Sequence, residues 1–317
     1  WLGAYRVPVI LLSATLPTAR RRELCAAYQR GVDSHQPPPP ARGWRDRATT
    51  PVVRPAPEPV VKQPIPAELP YPVLTFPVNS AWHHQSVAPS GRSGQVHIET
   101  LDDDLDTLVA ELHERLREGG CALVVRNTVD RAQLTARALR EAFPGTRVRL
   151  VHARFIGHHR AHNDTRLREL FGPPGDGSRT RPEKTIVVGT QVVEQSLDID
   201  FDLLITDLAP IDLMLQRIGR VHRHQRGEGQ GLRPAPLREA VCLVTGVTDW
   251  PTEQASSDPP KPVSGSVRVY GRHLLYRSAA LVLEAAQHGL AWNLPADIPR
   301  LVEAVYGEHP IGPASWQ

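Results

Sequence analysis

Apolar residues in this chain gather into short dense blocks, separated by stretches whose apolar positions recur at helical spacing. The blocks are CALVVR (121–126), RVRLVH (147–152), KTIVVG (184–189), DLLITD (202–207) and AVCLVT (240–245). Between them, Leu105, Leu108, Val109, Leu112 and Leu116 mark one helical stripe, with Asp102, Asp103 and Asp104 in its first turn and Gly119-Gly120 after it. That arrangement predicts a helix with an acidic start and a glycine stop. Further helices are predicted over 130–143, 163–171 and 211–221. Near-continuous apolar blocks of five or six residues alternating with helices are strands buried on both faces, so the pattern predicts an α/β fold: a parallel sheet covered by helices on both sides.

The two ends read differently. VPVILL (7–12) predicts a strand, followed by a helix from Thr18 to about Arg30. Prolines crowd the stretch from His35 to Pro77, including four in a row at 37–40. Proline removes donors and fixes φ, so this stretch reads as an extended linker, or alternatively as a polyproline ligand for a partner. Residues 270–306 read as helical. The expected division is a strand–turn–helix remnant at 1–30, a linker at 31–77, a main lobe at 78–250 and a loop-plus-helical segment at 251–317. Because Trp1 leads almost directly into a strand, the chain is expected to be part of a longer product.

Charge adds little at first. With 37 basic against 34 acidic residues the net charge is +3, too small to identify a nucleic-acid binder. The basic side is almost entirely arginine, since Lys62, Lys184 and Lys261 are the only lysines. Cys25, Cys121 and Cys242 match no metal spacing, and the latter two open apolar strands, which suits small core residues in a reducing compartment. No apolar run is long enough to span a membrane, and a cytoplasmic location is expected.

The candidate chemistry lies at strand ends. In an open parallel sheet, ligands gather where strands finish and loops present backbone donors. Arg126-Asn127-Thr128, His152-Ala153-Arg154 and Gly189-Thr190-Gln191 occupy three such ends and could hold a phosphodiester backbone without reading bases. Asn127 and Thr128 could equally be a helix cap. Gln216 to Arg223 places Gln216, Arg220 and Arg223 near one helical face, with Gly219 allowing close packing. Residues 216–238 hold six arginines and one acid. This cluster reads either as arginine fingers for a transferring phosphoryl group or as a solvated basic helix end. Asp198, Asp200 and Asp202 alternate. They read as a divalent-metal site or, preferably, as one carboxylate meeting a ribose with the others exposed or capping. The histidines at 152, 158, 159, 162, 222 and 224 do not match a zinc spacing. They read as solvated or phosphate-contacting.

These residues resemble the motifs of superfamily 2 helicases. Ser13-Ala14-Thr15 is similar to their SAT motif, Thr190 to Asp198 to motif V, and Gln216 to Arg223 to the Q-R-x-G-R-x-x-R of motif VI. Ser196, Asp200 and His222, where generic members carry Gly, Pro and Gly, narrow the resemblance. Together with RNTVDRAQ (126–133), HARF (152–155) and PADIPRLVEAVYG (295–307), they resemble the helicase–nuclease of type I CRISPR interference. The resemblance implies a RecA-like second motor lobe, a remnant of the first, and a helical C-terminal extension.

It implies Arg220 and Arg223 as arginine fingers, with Gln216 orienting the attacking water. Asp198 would contact the ribose of ATP, and Gly189 would let the backbone approach. Asn127, Thr128, Arg154 and Thr190 would contact single-stranded DNA, with Ser13 and Thr15 at the seam between lobes. ATP with Mg²⁺ is the implied cofactor, held mainly by a first lobe. The implied partners are single-stranded DNA and an RNA-guided surveillance complex. The sequence contains no G-x-x-x-x-G-K-[ST] loop, acidic Mg²⁺-holding motif or HD nuclease domain. The chain alone is therefore expected to be inactive, and the other readings are a non-catalytic single-strand-binding remnant or another superfamily 2 translocase.

Overall fold

The computed structural model describes residues 1–34, 71–78, 81–89, 91, 93–175, 181–194, 197–251 and 258–316. They form two compact units, Trp1–Gly91 and Arg92–Gln317. The proline-rich stretch at 35–70, the variant position Ser196 and the start of the loop after Pro251 lie outside the described residues.

In the first unit, helix α1 spans Thr18–Ser34, and strands β1 (Val73–Val78) and β2 (Ala81–Ser86) pair as an antiparallel hairpin. Residues 71–78, assigned by composition to the linker, therefore include a strand. Residues 7–12 form none. Ile10 and Leu12 are largely exposed, and among the described residues no other strand pairs with them. An apolar run becomes a strand only where a neighbour supplies hydrogen-bond partners.

The second unit is built on one sheet of seven strands: β3 (Gly94–Thr100), β4 (Gly120–Val125), β5 (Arg147–Val151), β6 (Lys184–Gly189), β7 (Leu203–Asp207), β8 (Ala240–Thr245) and β9 (Ala291–Leu294). Their spatial order is β5-β6-β4-β7-β8-β3-β9, all parallel except β9, which runs antiparallel to β3. The helices are α2 (Leu105–Arg115), α3 (Val129–Ala142), α4 (Gly157–Phe171), α5 (Ile211–Ile218), α6 (Ser264–Tyr270), α7 (Arg272–Gln287) and α8 (Ile298–Tyr306).

Two cores sandwich the sheet. Cys121, Leu123 and Val125 of β4 face a cluster containing Leu167 and Phe171 of α4, Met214 of α5, Val282 of α7 and Leu301 of α8. Ala122 and Val124, pointing the other way, join Leu108 and Leu112 of α2 and Ala136 and Leu139 of α3. This two-residue alternation with apolar groups on both sides is why central strands such as β4 read as continuous apolar blocks. The Cys121 thiol is buried and pushed up to about 11, and burial raises Cys242 as well.

Local signals set the helix starts. Asp104 caps α2 by accepting the Thr107 N–H at 2.8 Å, and Thr128 caps α3 through the Arg131 N–H at 3.4 Å. Gly120, at φ 109°, lies so close to Leu237 that an added Cβ would be 2.4 Å from its Cδ1. The turn from α2 into β4 therefore accepts only glycine there.

Two predicted elements change. The 270–306 segment is not continuously helical, since β9 breaks it and joins the main sheet, so this segment shares the fold of the lobe before it. The helix predicted over 211–221 stops at Ile218, with Gly219 as its C-cap.

Candidate functional site

The ends of β4, β6 and β7 lie side by side, and one arginine sits beneath all three. Arg217, the second residue of the Q-R-x-G-R run, is fully buried. It donates to Glu194 Oε1 at 2.8 Å, Thr206 Oγ1 at 2.8 Å, the Asp207 carbonyl at 3.0 Å and Asn127 Oδ1 at 2.9 Å. Sequence spacing points it away from Gln216, Arg220 and Arg223, but does not reveal that it is the hub of the site. Burial raises the Glu194 carboxyl even though Arg217 opposes this by charge and hydrogen bonding.

Asn127 is held from every side. Its Nδ2 donates to the Leu208 carbonyl at 2.8 Å and to Ser266 Oγ of α6 at 2.7 Å, while Oδ1 accepts from Arg217. The Gln191 amide donates to the Asn127 carbonyl and to Tyr270 Oη, each at 2.9 Å. Thr190 is buried. Asn127 and Thr190 thus shape the strand ends from below, whereas Thr128 is half-buried at the α3 cap. Arg154 is exposed, paired with Asp130 at 2.9 Å. Ser13 and Thr15 belong to the first unit, where the Thr15 N–H donates to Ser13 Oγ at 3.2 Å.

Behind the hub, Asp207 anchors the β7 end. It accepts from Arg126 at 2.8 Å, from Arg131 at 3.0 and 3.1 Å and from the Asn127 N–H at 2.9 Å. Burial alone would raise this carboxyl; the two guanidiniums and the N–H bring it down to about 2.

The arginines after α5 occupy three environments. Arg220 and Arg223 follow the helix end, so a straight helical face does not relate them to the half-buried Gln216. Arg220 is buried and donates to the carbonyls of Val193 and Glu194, at 3.1 and 2.5 Å. Burial, with Arg223 adding like charge, lowers it to about 10. Arg223 donates to the carboxylate of Asp198, which His224 Nε2 also approaches at 3.1 Å. Gly219 meets only the carbonyls of its own last helical turn and makes no close approach to another element. Gly189 does: an added Cβ would lie 2.8 Å from Val193 Cγ1 and 3.1 Å from Val151 Cγ2. Its packing role is to seat the turn carrying Thr190 to Glu194.

Asp200 and Asp202 are neither exposed nor capping. Both are buried, paired with Arg181, Arg226 and Arg233. The Asp202 carboxylate also accepts the Cys121 N–H at 2.7 Å. Much of the basic run at 216–238 is consumed by these internal pairs, because a buried carboxylate must find a cation. His158, His159 and His162 are exposed, in line with the solvated reading, but the other histidines differ from it. His152 is buried and stacked on Phe155 with centroids 4.3 Å apart. His222 adopts φ 46° and is pushed down to about 4 by burial and by Arg233. Among the described residues no group of three or more His, Cys, Asp or Glu is placed to hold a metal ion, and no helix is long and apolar enough to cross a membrane.

A mostly parallel sheet with its polar groups at the carboxyl ends, and arginines beside the turn after β6, defines an α/β lobe of the RecA-like kind. Residues 118–226 match the family model described as CRISPR-associated nuclease/helicase Cas3, C-terminal. The chain is 34% identical over 306 residues to the CRISPR-associated nuclease/helicase Cas3 of Streptococcus thermophilus, which covers 96% of this chain but 28% of that protein. The crystal structure of T. fusca Cas3-AMPPNP superposes with a TM-score of 0.78 at 29% identity, over 99% of this chain and 33% of that one. A chain of the CRISPR RNA-guided surveillance complex, pre-nicking, gives a TM-score of 0.75 at 29% identity, over 99% of this chain and 35% of that one. Over nearly its whole length the chain is similar to Cas3 CRISPR-associated nuclease/helicases, and it spans about a third of the relatives it matches.

Proposed function

We propose that this chain is the second motor lobe of an ATP-dependent helicase that translocates along single-stranded DNA in CRISPR defence. The observation that carries this reading is the pair Arg220 and Arg223. Two guanidiniums stand beside the turn after β6 with the Asp198 carboxylate against one of them, and burial together with the like charge of Arg223 lowers Arg220. An entering anion relieves that repulsion.

ATP, held with Mg²⁺ mainly by a lobe bearing a phosphate loop, supplies the phosphoryl group whose charge these guanidiniums meet. Arg223 exchanges Asp198 for phosphate oxygen, which leaves Asp198 free for the ribose, while Arg220 leaves the carbonyls of Val193 and Glu194. Gln216 orients water. A guanidinium in this role accelerates phosphoryl transfer by about 10³–10⁵. On the nucleic-acid side, Arg154 and Thr128 present donors to the DNA backbone, and Asn127 and Thr190 hold the strand ends beneath it. Ser13 and Thr15 couple the lobes. Because Arg217 bonds to Glu194 and Asn127 together, a shift of the turn after β6 reaches the DNA-facing loop through one side chain. An RNA-guided surveillance complex is the partner that would deliver the DNA strand.

The test is a fusion that places a phosphate-loop lobe upstream of Trp1. DNA-stimulated ATP hydrolysis should appear in the fusion and be absent from the chain by itself. Arg223→Ala should abolish hydrolysis while preserving binding of a labelled single-stranded oligonucleotide. Equal loss of both activities would exclude the finger role, and salt-sensitive DNA binding without turnover in a folded fusion would favour a passive single-strand binder.

A further inference from the structure

Between β5 and α4 lies a cleft of about 290 Å³ that the motor site does not use, lined by Arg147, Arg149 and Val151 of the strand and Asn163 and Leu167 of the helix. Arg147 and Arg149 are two residues apart on a strand, so both side chains leave the same face. That face is the one covered by α4, since Val151 shares a core cluster with Leu167 and Phe171.

The charges in this cleft are unbalanced. The Nε of Arg149 is buried and has no hydrogen-bond partner among the described residues. Burial lowers the Arg149 pKa, and Arg147 and Arg166 lower it further. Arg166 is held by Glu169 at 2.9 Å. No carboxylate among the described residues pairs with Arg147 or Arg149. A buried N–H of a charged group without an acceptor is destabilising, and an incoming oxyanion removes that penalty.

The strand itself is open. β5 is the outermost strand of the sheet and pairs with β6 alone. The Val148 carbonyl is met by the Arg140 guanidinium at 3.5 Å, the limit of a hydrogen bond. Exposed edges of this kind accept an additional strand, whose main chain gives affinity while alternate side chains give specificity.

We propose that this cleft docks an extended acidic segment of a partner protein, which adds beside β5 and sets carboxylates at alternate positions against Arg147 and Arg149. An extended chain repeats its side chains on one face about every 6.6 Å, the same step that separates the two arginines. The guanidinium fork suits a carboxylate bidentately. The cleft runs along β5 from Arg147 to Val151, whereas the candidate DNA contact Arg154 lies beyond the carboxyl end of that strand.

The experiment uses the 317-residue chain and a fluorescently labelled eight-residue peptide of alternating glutamate and valine. Saturable anisotropy is expected, together with slowed amide exchange at Val148 and Leu150. Arg149→Gln should weaken binding at least tenfold, as should the surface variant Arg147→Glu, which keeps the test valid if the first unfolds. A glutamine-for-glutamate peptide should bind at least tenfold more weakly. No saturable binding, equal affinity of both peptides, or unchanged affinity in a folded Arg147→Glu would overturn the proposal. Displacement of the peptide by a stoichiometric single-stranded oligonucleotide, or by millimolar inorganic phosphate, would assign the cleft to nucleic acid or to a free anion instead.

Discussion

Arg223 donates to the carboxylate of Asp198, so the side chain that would reach for a phosphate and the one that would hold a ribose neutralise each other. Both are partly exposed, and water and salt screen such a pair to roughly 0–1 kcal/mol. Arg223→Ala is therefore expected to lower the unfolding free energy by less than about 1 kcal/mol in urea titration. A larger loss would make Arg223 a structural residue and remove it as a clean probe of catalysis.

Arg217 behaves oppositely. Its replacement by Met keeps the volume but leaves the buried Glu194 carboxyl without its cation, which costs about 3–5 kcal/mol. Arg217→Met combined with Glu194→Gln should recover part of that loss. Additive penalties in the double variant would mean that the two side chains do not stabilise the fold as a pair.

Asp207 gives the fold an acid limit. Its carboxyl lies at about 2 in the folded chain against an ordinary value of 3.8. Because the folded value is the lower one, its stabilisation is complete above about pH 4 and is lost as pH falls toward 2. The shift corresponds to about 2 kcal/mol. Asp207→Asn should be less stable than the parent at pH 7, and the difference should shrink as the medium approaches pH 2. A constant difference across that range would show that Asp207 titrates normally.

His222 acts at milder pH. Burial and Arg233 hold it at about 4, against 6.5 for a free imidazole. The folded chain keeps it neutral while the unfolded chain protonates it. Its contribution is therefore full above pH 6.5 and lost as pH falls toward 4. His222→Gly suits the φ of 46° and should flatten the fall in melting temperature between pH 7 and 5 relative to the parent. Parallel curves for the two proteins would contradict this.

Gly189 is expected to tolerate no Cβ. Gly189→Ala should destabilise by about 1–3 kcal/mol through overpacking against Val193 and Val151, and Val193→Ala in the same chain should restore part of it. If Gly189→Ala melts like the parent, the turn after β6 is looser than the contact distances indicate.

Much of the main sheet is legible in the sequence because burial on both faces leaves β4 without a charged or hydroxyl residue and confines those of β6 and β8 to the strand ends, and α2 is legible because one leucine stripe is bounded by aspartates and glycines. What escapes reading depends on distant partners. β9 is a short segment whose identity comes from β3, with Gln95 reaching Asn293 at 3.0 Å across the pairing. VPVILL has the composition of a strand and, among the described residues, no neighbouring strand to pair with. At the site, Arg217, Arg220 and Arg223 look alike in sequence, yet they are buried hub, carbonyl-bound and carboxylate-bound respectively. The available signal is the acids: Glu194, Asp200, Asp202 and Asp207 lie within or beside apolar runs, and carboxylates in such places require buried cations.

The position of β3 has a consequence for synthesis. It is the first strand of its unit to leave the ribosome, yet both of its neighbours, β8 and β9, come from the far end of the unit. Its backbone stays unpaired while well over a hundred residues are translated, and the sheet is completed only when Ala291–Leu294 emerges. Folding of this unit is therefore governed by its last strands, and nascent chains halted before them present an unsatisfied edge to whatever else is in the cell.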